Sequence, residues 1–227
     1  MPHSVMIPRV FHFIWIGPRD LSEQQRQRID SWRHHHPDWE VRIWRNEDVP
    51  RLRNQAQFDL APSMAGKADI LRAEVVHDHG GVYLDTDMEC LRPIDELLAG
   101  CEGFLVRTHP SGRIGNAVFG AVPGHEFTRQ LVELIPRWFH PRQPHRTGPT
   151  LYTRVGQSCA TMRVFEQKIF FPLSTDDRHV FDVRPEFPGS YGVHWYDGSW
   201  IQDFPITLPL WVRLLPRIVR RQLARWA

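Results

Sequence analysis

A helix, a double glycine and a strand ending in two aspartates follow one another without a gap, and this block limits the possible folds most. Apolar residues recur at helical spacing from Gly66, and Gly80-Gly81 ends that helix. Residues 82–87 are then predicted to form a strand with Asp85 and Asp87 at its carboxyl end. A helix that turns directly into a strand is typical of layered α/β proteins.

The rest of the chain repeats this alternation. The pattern predicts helices at residues 21–36, 93–98 and 124–139, and a short helix after Thr147-Gly148-Pro149. It predicts strands at residues 7–16, 39–44, 103–107, 114–122, 168–171 and 190–194, whereas residues 46–65 are polar and poorly periodic. The alternation therefore predicts an α/β fold with a mostly parallel central sheet, in one domain over residues 1–207.

Composition excludes several classes of protein. The 227 residues suffice for a substantial core, and a net charge of +2 is too small to indicate a nucleic-acid partner. No apolar stretch approaches the roughly 20 residues that span a bilayer, and no signal peptide is expected. The odd number of cysteines, 3, favours free thiols in a reducing compartment, so we expect a cytoplasmic protein.

The paired aspartates predict a metal site. On a strand, Tyr83, Asp85 and Asp87 would share one side, with successive members about 6.6 Å apart. Carboxylates so placed repel each other unless a cation or hydrogen-bond donors compensate. Mg²⁺ and Mn²⁺ bind few protein carboxylates and complete their coordination with water and substrate phosphates. Since open α/β sheets bind ligands at the carboxyl ends of their strands, the motif indicates a metal–diphosphate site, although D-x-D alone is common.

Two further groups of polar residues have more than one interpretation. Asp69 and Arg72 lie three positions apart on one helix face, either as a local ion pair or as side chains that the following turn brings to the same cleft. His34-His35-His36 is interpreted as a solvated helix end rather than a metal site, because consecutive helical side chains point in different directions.

Several blocks of the sequence resemble one enzyme family. The central runs are Lys67-Ala68-Asp69-Ile70-Leu71-Arg72 and Gly80-Gly81-Val82-Tyr83-Leu84-Asp85-Thr86-Asp87. They resemble the D-x-D sugar-transferase family, which includes the yeast initiating α-1,6-mannosyltransferase, bacterial capsular-polysaccharide transferases and the glucosylating domain of large clostridial toxins. Residues 7–17, 37–40 and 194–200 resemble the family's opening strand, the start of its second strand and its closing His-to-Ser-Trp motif.

The resemblance implies a GT-A fold and a retaining transfer from a nucleotide sugar to a glycan or lipid-linked saccharide, with Mn²⁺ or Mg²⁺ as cofactor. A UDP-sugar is the favoured donor, and GDP-mannose is the alternative. Asp87 is implied to bind the metal directly, and Asp85 to contact ribose or sugar hydroxyls and the metal through water. Asp69 and Arg72 are implied to hold the hydroxyls of the transferred sugar.

The same resemblance implies the remaining roles. Trp15 would stack on the base, while Ser199, through the metal, and Trp200, through its indole N–H, would close over the diphosphate. Asn116 either faces the donor sugar or caps a turn. The implied catalytic set is Asp69, Arg72, Asp85, Asp87 and Trp200; the donor-binding set is Trp15, Asp69, Arg72, Tyr83, Asp85, Asn116, Ser199 and Trp200; the metal set is Asp85, Asp87, Ser199 and His194.

Residues 208–227 are predicted to form a basic amphipathic helix. One interpretation is docking on an anionic membrane, such as the inner face of a cell membrane; the other is packing on the domain with an arginine-rich outer face. The compact length suits a bacterial glycan pathway such as capsular-polysaccharide synthesis.

Two other functions use the same features. A metal-dependent sugar-nucleotide hydrolase or nucleotidyltransferase would employ the same carboxylates, and a non-catalytic carbohydrate-binding protein would keep the fold without turnover.

Overall fold

The computed structural model describes residues 6–109, 111–173 and 186–198. The strands are β1 Val10–Ile14, β2 Glu40–Trp44, β3 Gly81–Leu84, β4 Met88–Cys90, β5 Gly103–Val106, β6 Val118–Ala121, β7 Arg163–Phe165 and β8 Gly192–His194. The α-helices are α1 Glu23–His35, α2 Gln55–Leu60, α3 Met64–His79, α4 Asp95–Leu98, α5 Glu126–Trp138 and α6 Pro149–Gly156. Short 3-10 helices cover Asn46–Asp48, Pro144–Arg146 and Gln167–Ile169.

Six strands form the central sheet, in the order β2-β1-β3-β6-β5-β7. β2, β1 and β3 are parallel to one another, β6 is antiparallel to β3 and β5, and β5 is parallel to β7. Five strands therefore share one direction and β6 opposes them. The prediction of an α/β fold with a mostly parallel sheet is confirmed.

Helices cover both faces of this sheet. α3, α5 and α6 pack on the face that Tyr83 and Phe119 present, whereas α1 packs on the face of Val82 and Leu84. α3 also packs against α5, and every residue of α3 from Asp69 to Val76 is buried. Ser63 begins α3 by accepting the backbone N–H of Gly66 at 3.1 Å.

A buried histidine fixes the turn from α3 into β3. Trp44 Nε1 donates to His12 Nδ1 at 3.1 Å, so His12 Nε2 carries the proton and donates to the Gly80 carbonyl at 2.9 Å. Burial lowers the pKa of His12 to about 4, which keeps the ring neutral. Gly81 has φ 93°, and a Cβ there would lie 2.5 Å from Val10 Cγ1. The double glycine is thus required where α3 delivers the chain to the sheet.

Some elements differ from the sequence predictions. The strand expected at residues 168–171 is wrong, because the 3-10 helix Gln167–Ile169 occupies that segment. The poorly periodic residues 46–65 contain α2. His36 is not solvated: it is 2% exposed, and its Nε2 accepts the backbone N–H of Ile94 at 2.9 Å. The imidazole therefore connects the end of α1 to the start of α4.

The described residues up to Asp197 form one compact unit. Within the described parts of the chain, no helix combines the length and the apolar character needed to cross a bilayer. The predicted domain boundary after residue 207 and the amphipathic helix at residues 208–227 lie outside the described residues, so both stay predictions.

Candidate active site

The D-x-D motif forms a turn and not the end of a strand. β3 ends at Leu84, and the backbone N–H of Met88 donates to the Asp85 carbonyl at 3.0 Å, which closes the turn into β4. The Asp85 N–H donates to the Ala117 carbonyl at 2.8 Å and extends the β3–β6 ladder by one residue. The predicted continuous strand over residues 82–87 is therefore wrong, because the chain turns after Asp85. Tyr83 and Asp85 do share one side, since the Tyr83 hydroxyl donates to Asp85 Oδ1 at 2.7 Å.

The turn nevertheless gathers its carboxylates beside a histidine. β4 and β8 are antiparallel, with Met88 opposite His194. As a result, one ligand atom each from Asp85, Asp87 and His194 lie within 4.8 Å of one another. Three of the four predicted metal ligands are brought together, and the fourth, Ser199, lies outside the described residues.

Asp87 and His194 are hydrogen-bonded to each other in this cluster. His194 Nε2 lies 2.9 Å from Asp87 Oδ1, and the backbone N–H of Asp197 donates to Asp87 Oδ2 at 3.1 Å. Burial favours the neutral carboxyl, but His194 and the amide outweigh it and lower the pKa of Asp87. Burial likewise opposes the charged imidazole, but Asp87 outweighs it and raises the pKa of His194. His194 thus stabilises the ionised form of Asp87.

The cluster fits a divalent cation. Two carboxylates and one imidazole supply oxygen and nitrogen ligands, and a bound ion would keep positions for phosphate oxygens. His194 Nδ1 is buried and has no hydrogen-bond partner in the described part of the chain. Among the described residues, the imidazole therefore makes no second hydrogen bond that would compete with a ligand.

Arg72 joins this cluster to helix α3. Its Nη1 donates to Asp85 Oδ1 at 2.9 Å and to the Asn116 carbonyl at 2.7 Å. The guanidinium is 4.4 Å from the centre of the Tyr83 ring, and the Tyr83 hydroxyl donates to the same Asp85 oxygen at 2.7 Å. Asp85 is therefore oriented by two donors on one oxygen. Burial raises the pKa of Tyr83 well above its usual value, so the hydroxyl keeps its proton.

Asp69 lies on the other side of Arg72. Its Oδ1 accepts the Asn116 amide at 2.6 Å and lies 3.2 Å from Arg72 Nη2. Burial, with a smaller contribution from Asp85, raises the pKa of Asp69 to about 6, against the opposing effects of Arg72 and Asn116. A Cβ at Gly148 would lie 2.7 Å from Asp69 Oδ2, so the glycine preserves the space beside that oxygen.

These contacts decide between the two interpretations of Asp69 and Arg72. Asp69 and Arg72 do form an ion pair, but Arg72 also binds Asp85, so both belong to the cluster with the D-x-D turn. Asn116 contacts Asp69 through its side chain and Arg72 through its carbonyl.

Trp15 follows β1, at the edge of the sheet where β3 also ends. Its indole N–H donates to the Arg19 carbonyl at 2.8 Å. Stacking of this ring on a base stays a prediction. Trp200, like Ser199, lies outside the described residues, and its role is likewise a prediction.

Sequence reasoning did not single out two buried residues, Tyr152 and Arg28, which lie far along the chain from the D-x-D turn. Tyr152 on α6 is fully buried, and its hydroxyl has no hydrogen-bond partner among the residues that the structure describes. Arg28 on α1 pairs with Asp197 beside the metal cluster. A separation of 169 residues leaves no local signal for that pair.

One segment of the chain, residues 22–102, matches a known protein family. Residues 22–102 match the family described as a glycosyltransferase sugar-binding region containing a DXD motif. Inositol phosphoceramide mannosyltransferases 1 and 3 of Schizosaccharomyces pombe are 31% and 33% identical over 143 and 144 residues, or 59% and 60% of this chain. Human alpha-1,4-N-acetylglucosaminyltransferase is 27% identical over 145 residues, 56% of this chain.

The matched segments span 44%, 39% and 41% of these three relatives. The predicted family resemblance is confirmed, and the names of the relatives agree with the predicted enzyme class.

Solved structures support the fold. The PaToxG glycosyltransferase superposes with a TM-score of 0.53 at 17% identity, over 67% of this chain and 70% of its own. A glycosyltransferase involved in glycosylation of the major capsid of PBCV-1 gives a TM-score of 0.51 at 11% identity, over 86% and 97%. The predicted GT-A architecture is confirmed.

Proposed function

Because the chain carries the DXD-containing sugar-binding region of glycosyltransferases at residues 22–102, we propose that it transfers a hexose from a nucleotide sugar to a saccharide or glycolipid acceptor with retention of configuration. The observation that carries the proposal is the contact of Arg72 with Asp85 at 2.9 Å. It links the sugar-holding pair on α3 to the metal cluster at the D-x-D turn, so one cleft holds both halves of a nucleotide sugar.

Each half has a distinct task in this proposal. Asp85, Asp87 and His194 would hold a divalent ion, which when bound would supply positive charge against the leaving diphosphate. Of the two predicted ions, Mn²⁺ suits the ligand set better, since imidazole is a more typical ligand of transition metals than of Mg²⁺. Asp69 and Arg72 bind hydroxyls of the sugar and fix its anomeric carbon toward the acceptor.

The proposed transfer needs no nucleophile from the protein. The acceptor hydroxyl attacks the anomeric carbon on the face from which the diphosphate departs. The bond from that carbon to the phosphate oxygen breaks, the new glycosidic bond forms, and the leaving phosphate takes the acceptor's proton. The negative charge of Asp69 and Asp85 favours positive charge on the sugar during this exchange.

The donor and the setting belong to the proposal too. A UDP-sugar remains the favoured donor, while the mannosyltransferase names of two relatives support GDP-mannose as the second choice. We place the protein in the cytoplasm, with the basic residues of 208–227 on an anionic membrane where lipid-linked acceptors lie. Flotation with anionic vesicles tests that location, because equal recovery with and without this segment would exclude it.

The decisive experiment incubates the protein with UDP- and GDP-sugars and oligosaccharide or glycolipid acceptors, with Mn²⁺ or with EDTA. We expect a metal-dependent glycoside product that Asp87→Ala abolishes and the exposed control Asp59→Ala retains. Free sugar without glycoside would indicate the hydrolase instead. Sugar binding without turnover, unchanged in Asp87→Ala, would indicate a carbohydrate-binding protein.

A further inference from the structure

A buried arginine outside the donor cleft is connected to the metal cluster. Arg28 on α1 is 6% exposed. Its guanidinium pairs with the Asp197 carboxylate and lies 5.6 Å from the centre of the Trp195 ring. A buried cation is costly unless it is paired and well packed, so this location requires both contacts.

The segment that Arg28 holds reaches Asp87 at two points. The Asp197 N–H donates to Asp87 Oδ2 at 3.1 Å, and the Trp195 N–H donates to the Asp87 carbonyl at 3.1 Å. Residues 195–197 therefore contact both the side chain and the backbone of a proposed metal ligand.

The residue between these contacts is strained. Tyr196 has φ 52°, in the left-handed region that side chains other than glycine seldom adopt. Its ring lies 4.0 Å from that of His194, centre to centre. Such a conformation persists only where surrounding contacts determine it, and the Arg28–Asp197 pair is one of those contacts.

We propose that Arg28 is a positioning residue for the metal site. By fixing Asp197, it holds that residue's N–H against Asp87 Oδ2 and so sets the direction in which the carboxylate presents its other oxygen. The inference rests on the metal site of the proposed function.

The charge of Arg28 and its positioning role have opposite effects on a bound cation. A positive charge near Asp87 repels Mn²⁺, so an arginine acting through its charge alone would weaken metal binding, and its removal would tighten it. An arginine that orients Asp87 would strengthen binding, and its removal would weaken it. The sign of the change therefore separates the two.

The test is Mn²⁺ affinity, measured by electron paramagnetic resonance of free Mn²⁺ during titration of the folded full chain. We expect binding about 10- to 100-fold weaker in Arg28→Met and Asp197→Asn, because residues that orient metal ligands typically have effects of this size. Arg28→Lys keeps the charge but loses the planar fork, and should bind with intermediate affinity. The matched control is Arg33→Met, which removes an exposed arginine from the same helix.

Circular dichroism selects the folded variants. If Arg28→Met does not fold, Arg28→Lys decides, since lysine keeps the positive charge and a role through charge alone predicts unchanged affinity. Wild-type affinity in a folded Arg28→Lys, or tighter binding in Arg28→Met, would overturn the positioning role while leaving the metal site intact. Absence of Mn²⁺ binding by the wild type would instead remove the metal site, and this inference with it.

Discussion

Helix α3 carries two buried carboxylates, Glu74 and Asp69, that differ in how completely their oxygens are hydrogen-bonded. Glu74 is 2% exposed and accepts three N–H donors: the backbone of Arg53 at 2.7 Å, the backbone of Asn54 at 2.7 Å and the Asn54 amide at 2.9 Å. Asn54 also donates to the Val132 carbonyl at 3.0 Å. Glu74 therefore connects α3 to the start of α2 and, through Asn54, to α5.

Asp69 is 9% exposed but only half paired. Its Oδ1 receives Asn116 and Arg72, whereas no hydrogen bond from the described residues reaches Oδ2, which lies beside the space preserved by Gly148. The fully paired carboxylate stabilises the fold, and the half-paired one has a raised pKa and an oxygen left for a ligand. The incomplete pairing of Asp69 thus supports the sugar-binding role proposed for it.

The largest expected effect is on stability at Glu74. Glu74→Ala leaves three buried donors without an acceptor, and we expect the free energy of unfolding to fall by about 3 kcal/mol. Urea denaturation followed by circular dichroism measures the change. An unchanged midpoint would mean that Glu74 is not the structural member of the pair.

Asp69 should show the reverse. Asp69→Asn keeps the acceptor for Asn116 but loses the charge, and we expect kcat/KM to fall about 100-fold, or about 2.7 kcal/mol. Stability at neutral pH should not fall, because ionising a carboxyl whose folded-state pKa is raised costs free energy that the amide avoids. Loss of stability comparable to that of Glu74→Ala would erase the distinction.

The pH dependence sharpens the comparison further. Asp69 has a folded-state pKa of about 6, above its ordinary value, so it is ionised above that pH and protonated below it. If the carboxylate binds the sugar, kcat/KM should fall about tenfold per unit as pH drops below about 6. The free energy of unfolding should change in the opposite direction. It should rise as pH falls below about 6, because protonation removes the cost of burying the Asp69 charge. Both trends should be absent in Asp69→Asn, as pH titrations of activity and of unfolding would show.

A smaller effect is expected at Gly148. In Gly148→Ala, the methyl group would occupy the space beside Asp69 Oδ2, and we expect the KM for the donor to rise about tenfold with little change in kcat. The loop glycine Gly112 has open space around its Cβ position, but its φ of 85° makes it a poor control. Gly66→Ala is the better one, since its Cβ would meet only Ser63 Oγ at 3.3 Å and looser neighbours.

Much of the site could be predicted from sequence because its parts are close along the chain. Asp69 and Arg72 lie on α3, and Asp85 follows β3, which Gly80-Gly81 connects directly to α3. Helical periodicity and this short connection together predict that the three side chains lie close to one another. The turn at Asp87 could not be predicted, because the alternation of a strand continues through residues 82–87 even though the chain reverses.

Other features depend on contacts that no local pattern records. No residue of α2 is fully buried, and contacts from α3 hold the helix. Glu74 binds the residues before it, and Lys67 Nζ donates to the Phe58 carbonyl at 2.6 Å. β4 and β8 are three-residue strands that exist only as partners. In the sequence, Arg28 resembles any arginine on an amphipathic helix. Only the fold, through the pairing of β8 with β4, brings Asp197 against it.

The reversed direction of β6 has a consequence for how the proposed site can diversify. Since β5 runs toward the sheet edge where β3 ends and β6 runs away from it, the described residues that connect them, 107–109 and 111–117, begin and end at that edge. The middle of this connection can lengthen or change composition while the paired strands below keep their register. Under the proposed function, changes in this connection could admit new acceptors while the D-x-D turn and α3 stay unchanged.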